Sequence, residues 1–153
     1  MGIIDFVRAA GEKIFGTSEA AAAPTKDEAV LSKRSTALED HVRTLGLEVD
    51  GLKVKVVEDV AYVKGKVATQ DVREKVVLAV GNVQGIAKVE DRLEVTSPQP
   101  EARYYTVAKG DTLSKIAKQE YGDANKYPQI FEANKPMLKH PDKIYPGQVL
   151  RIP

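Results

Sequence analysis

The sequence of 153 residues contains no cysteine and no tryptophan, and only two histidines. Without cysteine there can be no disulfide, thiol nucleophile or thiolate metal site, although exported proteins also dispense with cysteine and the compartment stays open. The histidines, His41 and His140, have no carboxylate or second histidine at ligand-like spacing. No apolar run approaches the length of a membrane-spanning helix. Nor is there a surplus of one charge: 23 basic residues face 22 acidic ones, for a net charge of +1. That balance gives no general pull toward nucleic acid or an anionic membrane. Nucleophile-elbow, P-loop, dinucleotide and EF-hand patterns are all missing. A glycosidase needs two opposed carboxylates, whereas the acidic residues here are scattered and Asp111 is placed to cap a helix. These absences exclude most enzyme classes and leave a binding protein.

With 42% hydrophobic and 29% charged residues, most of the chain should fold. At the N-terminus (1–16, MGIIDFVRAAGEKIFG), Asp5 and Arg8 interrupt what would be the apolar core of a secretory signal, so the sequence reads as cytoplasmic. Ile3, Phe6, Val7, Ala10, Ile14 and Phe15 recur at helical spacing, which predicts a short amphipathic helix. Its polar residues are Arg8 and Lys13 against Asp5 and Glu12. Lacking a basic excess, it should dock on the neighbouring domain and not on a membrane.

Two stretches read as linkers. Residues 17–25 (TSEAAAAPT) are small and polar with a proline, and residues 96–102 (TSPQPEA) carry Pro98 and Pro100. Between them, residues 26–95 form a middle domain. A helix over 26–45 should bury Val30, Leu38, Val42 and Leu45. Leu52, Val54 and Val56 alternate with Lys53 and Lys55 as a half-buried strand, and Val63, Gly65 and Val67 repeat the period across a tight turn at Glu58 and Asp59. Thr69 caps a second helix to about residue 83, Gly85 stops it, and a third strand covers 86–95. The order α-β-β-α-β puts both helices on one face of a three-stranded mixed sheet. Residues 103–153 form a second domain of order β-α-α-β, with Asp111 or Thr112 capping its first helix. The fold class is therefore α+β.

The blocks YTVAKGDTLSKIA, IFEANK and IYPGQVLRIP resemble the LysM family in content, order and spacing. The resemblance implies binding of an N-acetylglucosamine-containing glycan, in a groove flanked by Gly110, Asp111 and Thr112 on one side and Ile144, Tyr145 and Pro146 on the other. AYVKGKV and GNVQGIAKVEDRLEV resemble the BON family, often associated with membrane attachment. Taken with the N-terminal MGIIDFVRAAGEK, nearly the whole chain resembles a family of small bacterial cytoplasmic potassium-binding proteins, with residues 17–25 and the first helix of the middle domain matching least. That resemblance implies a potassium ion held by backbone carbonyls of Val7, Ala10, Gly81, Val83 and Ile86, with a change of shape on binding. Neutral carbonyl oxygens suit a large monovalent cation, and helix C-termini supply them. The alternative is an envelope adaptor that binds peptidoglycan or chitin-type glycans through its LysM module.

Overall fold

A computed structural model describes residues 2–16 and 19–153. Met1, assigned above to the N-terminal segment, and Thr17 and Ser18, assigned to the first linker, lie outside the described residues. The chain begins with a strand, β1 (Gly2–Asp5), followed by irregular turns and a single helical turn, α1 (Glu19–Ala22). Then come α2 (Glu28–Thr44), β2 (Asp50–Val57), β3 (Val60–Thr69), α3 (Gln70–Gly81) and β4 (Lys88–Ser97). The sheet runs β1-β4-β3-β2, with β3 and β4 parallel and the other pairs antiparallel.

Local chemistry accounts for the middle domain. Asp27 caps α2 by accepting from the amides of Ala29 and Val30, and Thr69 caps α3 through Val72. Leu52, Val54 and Val56 turn inward onto Leu38 and Val42 of α2 and Val76, Val77 and Val80 of α3. The outer edge of β2 is occupied by α2 side chains: Glu39 accepts from the amide of Val54 at 2.9 Å and Ser35 from that of Val56 at 3.0 Å. This protects an edge that would otherwise invite another strand.

Three expectations need correction. Where the sequence predicts a helix over residues 1–16, the described residues 2–16 form a strand followed by turns. β1 satisfies backbone groups along the free edge of β4, and its side chains follow period two, with Ile3 64% exposed and Phe6 buried. Gly11 and Gly16, at φ of 111° and 135°, then rule out helix continuation. The sheet accordingly has four strands. Second, residues 17–25 do not form a free spacer where they are described: Ala22 is buried, and it lies so close to Gly85 that a Cβ there would stand 2.8 Å from the Ala22 carbonyl oxygen. Third, Val30 is exposed in α2 and Arg34 is buried, with its guanidinium 5.1 Å from the Phe15 ring and bonded to the Ala21 carbonyl at 2.7 Å.

The C-terminal module contains β5 (Arg103–Thr106), α4 (Leu113–Tyr121), a 3₁₀ turn at Ala124–Lys126, α5 (Tyr127–Ala133) and β6 (Val149–Ile152), with β5 and β6 antiparallel. Its own core gathers Leu113, Ile116, Ile130, Leu138, Leu150 and Ile152. Val149 instead enters the core of the middle domain, so the two domains are packed together. Among the described residues, no helix is long and apolar enough to cross a membrane.

Candidate metal centre

α3 ends at Gly81 with Asn82 as its cap, two residues before the end predicted from sequence, and the chain turns through Val83, Gln84 and Gly85 before β4. The N-terminal segment lies along this turn. The Phe6 amide donates to the Ala87 carbonyl at 2.8 Å, the Gly85 amide to Arg8 at 2.8 Å, the Glu12 amide to Asn82 at 2.9 Å and the Gln84 amide to Glu12 at 2.9 Å. The Gln84 side chain adds a bond to the Ala9 carbonyl at 3.3 Å. Glycines permit the approach. A Cβ on Gly11 would stand 2.6 Å from the carbonyl carbon and oxygen of Asn82, and on Gly81 the space is filled by the Phe6 ring.

The structure thus brings together the two groups of residues from which carbonyl ligands were expected. Val7 accepts the amide of Ala10 at 3.0 Å, and Val83 accepts that of Ile86 at 3.1 Å. Each of those oxygens keeps a second lone pair. The carbonyls of Ala10, Gly81 and Ile86 take no protein donor among the described residues. Also among these residues, no group of three or more histidine or acidic side chains is placed to hold a metal.

Sequence reasoning missed four contributors: Arg8 and Glu12, whose backbones hold the segment in place, Gln84, and above all Asn82. The side chain of Asn82 reaches across the domain boundary, bonding both backbone groups of Val149 and lying 3.3 Å from the Met137 sulfur. A polar residue between a helix end and a glycine pair was the available signal. Beside it, Gly147 packs on the same N-terminal segment. A Cβ there would lie 2.8 Å from the Cβ of Ala10 and 3.2 Å from that of Val7. Two residues beyond Val149, Arg151 pairs with Glu74 of α3 at 2.9 Å, both nearly fully buried.

The residues expected to flank a glycan groove behave differently on its two sides. Gly110 is exposed, with open space around its α-carbon. Thr112, not Asp111, caps α4, accepting from the Lys115 amide at 3.2 Å. The Asp111 carboxylate accepts the Tyr105 hydroxyl at 2.6 Å and the Ala108 amide at 2.9 Å. That first bond holds Asp111 below the usual carboxylate range and pushes Tyr105 up to about 12. On the other side, Pro146 is exposed and Ile144 packs on the module's core. Tyr145 is partly buried, and its hydroxyl is enclosed without a hydrogen-bond partner among the described residues. Desolvation, and then the charge of Glu12, push that hydroxyl's pKa up. Glu12 also acts on His41, whose pKa is lowered first by burial, an effect that Glu12 opposes and Lys139 reinforces.

Comparison with known proteins finds two domain families in the chain. The BON domain profile matches residues 27–97 and the LysM domain profile residues 105–153. The potassium binding protein Kbp of Escherichia coli O6:H1 is 44% identical over 100% of this chain and 99% of its own length. An uncharacterized protein of Deinococcus radiodurans is 53% identical over 49 residues, covering 32% of this chain and 19% of that one. The uncharacterized protein YqbP of Bacillus subtilis is 28% identical over 120 residues, covering 69% of this chain and 55% of its own.

Proposed function

This chain belongs to the family of the potassium binding protein Kbp, and we propose that it too binds potassium, using backbone carbonyls of Val7, Ala10, Gly81, Val83 and Ile86. The observation that carries this reading is the alignment of the N-terminal segment along the 82–87 turn. Backbone bonds fix the two strands of chain together, yet three of the five carbonyl oxygens take no protein donor among the described residues. A helix end contributes its unpaired carbonyls and partial negative charge to the same place. Potassium sheds its water readily for such neutral dipoles, and no carboxylate cage is required.

The ion in turn favours the docked arrangement. Ordering residues 7–12 around it presents Val7 and Ala10 to Gly147 and leaves Asn82 facing Val149. In this reading the protein is a potassium sensor or buffer of the cytoplasm, and the LysM module is the part that responds. Glycan capture by the LysM module is the second reading, supported by the family match. The Tyr145–Gly147 side of that groove faces the N-terminal segment, so the module would have to open before a glycan could use it.

The test is thermal unfolding in potassium chloride against sodium chloride at equal ionic strength. A ligand bound only to the folded state stabilises it by about 2.7 kcal/mol at a hundredfold excess over Kd. Potassium should raise the melting temperature well beyond sodium. Equal shifts in both salts would mean general screening and would end the ion-binding reading.

A further inference from the structure

One face of the four-stranded sheet packs on α2 and α3, and the other is bare. On the bare face the register sets Lys53 of β2, Lys64 of β3 and Arg92 of β4 directly abreast. Lys55 stands beside Tyr62 in the next row. Adjacent strands are about 4.8 Å apart, so three cations stand in a line roughly 10 Å long. Like charges directly opposite one another destabilise a sheet, and in this row only Arg92 is offset by an acidic partner among the described residues. Among the described residues Lys53, Lys55 and Lys64 have no acidic partner within ion-pair distance, and the nearby Glu90 is held by Arg92 at 2.9 Å. These side chains line an open groove of about 490 Å³ with Val57 and Tyr62, over whose ring Arg92 lies at 5.2 Å. The net charge of +1 conceals this concentration.

We infer that the bare sheet face binds a nucleoside triphosphate, independently of the potassium site. The cation row matches a chain of three phosphates, for which lysines act as point-charge partners and arginine as a bidentate one. The stacked Arg92 and Tyr62 offer planar surfaces of the kind on which nucleobases stack. The groove is open to solvent, and its three lysines, with Arg92 once a phosphate displaces Glu90, complement the charge of a triphosphate.

Calorimetric titration of the full chain with ATP in sodium buffer, at about 0.1 M ionic strength where surface charges are still felt, tests this. One ATP should bind per chain, more weakly as salt is raised. The double variant Lys53→Gln, Lys64→Gln should lose at least tenfold in affinity; both positions are exposed, so it should fold. Inorganic tripolyphosphate should bind several-fold more weakly than ATP, and Tyr62→Leu should bring ATP down to the same level. The inference is overturned by an unchanged affinity in the double variant, by tripolyphosphate matching ATP on the wild-type chain, or by a single-stranded oligonucleotide outcompeting ATP. The difference between potassium and sodium in thermal unfolding should persist in the double variant, which separates this site from the ion site.

Discussion

Asn82 treats Val149 as a strand treats its neighbour: its Nδ2 donates to the Val149 carbonyl at 2.8 Å and its Oδ1 accepts the Val149 amide at 2.8 Å. The same residue caps α3 with its own amide on the Leu78 carbonyl, and its carbonyl receives the amide of Glu12. One side chain and its backbone therefore join the helix end, the N-terminal segment and the first residue of β6. Any motion of the turn that gathers the proposed ion ligands must be felt by the LysM module.

Replacing Asn82 with Ala should strand two buried backbone groups of Val149. A buried polar group left unpaired costs about 1–3 kcal/mol, so the variant should unfold at lower urea with loss in that range or above. Urea denaturation followed by circular dichroism measures it. An unchanged midpoint would show that water or a neighbouring group replaces the amide.

Glu74 is the second bolt. It accepts from Arg151 at 2.9 Å, from Gln70 at 3.2 Å and from the Ala102 amide at 2.8 Å, while Arg151 also donates to the Ala133 carbonyl at 3.2 Å. Glu74→Leu leaves a buried guanidinium without its charge partner, and breaking such a pair costs about 3–5 kcal/mol. The double change Glu74→Leu, Arg151→Met should recover much of that loss by removing both charges. A double variant no more stable than the single one would mean that the bonds to the Ala102 amide and Ala133 carbonyl dominate.

Gly11→Ala should detach the N-terminal segment. The new Cβ would meet backbone atoms of Asn82 at 2.6 Å, and φ of 111° is a conformation that L side chains avoid. Potassium affinity should fall at least tenfold. Gly46→Ala is the control, since its φ is 77° but its Cβ would enter open space. That variant should cost some stability while leaving the affinity intact. Full potassium binding by Gly11→Ala would remove Val7 and Ala10 from the proposed ligand set.

The contrast between these positions shows what could be read in advance. The alternation at Leu52, Val54 and Val56, the cap at Thr69 and the turn at Glu58 were legible because each is set by neighbours in sequence. The strand Gly2–Asp5 was not, because its spacing also fits a helix and only the vacant edge of β4 decides between the two. The two groups of proposed ligands came from resemblance, and the fold brings them side by side. The junction of Asn82 with Val149 spans 67 residues, a separation at which periodicity carries no information.

His41 makes stability depend on pH in a defined direction. Its Nε2 is enclosed without a partner among the described residues, and burial lowers its pKa, with Glu12 opposing and Lys139 reinforcing that shift. A histidine that prefers to be neutral in the folded state stabilises above its unfolded pKa, about 6.5, and that contribution is lost as pH falls toward the lower folded value. The stability of the wild type relative to His41→Gln should therefore decline between pH 8 and pH 5. A difference independent of pH would show that the imidazole is not desolvated as the geometry implies.

The last expectation concerns coupling between the ion and the LysM module. Pro98 and Pro100 lie in an exposed connection that offers little to hold the domains together. What does hold them is the Asn82–Val149 and Glu74–Arg151 contacts and the seat of Gly147 on Val7 and Ala10. An ion shifts a conformational equilibrium only through unequal affinity for the two arrangements. If it binds more tightly when residues 7–12 are backed by the LysM module, then weakening the module's seat must weaken the ion by the same factor. Potassium should reduce the radius of gyration in solution scattering, with sodium as the reference. Tyr145→Ala should blunt that compaction and lower potassium affinity a fewfold without abolishing it, because none of the proposed ligands is touched. Compaction lost with affinity exactly unchanged would break the reciprocity that linkage demands. A radius indifferent to saturating potassium would make the module a passenger, docked with or without the ion.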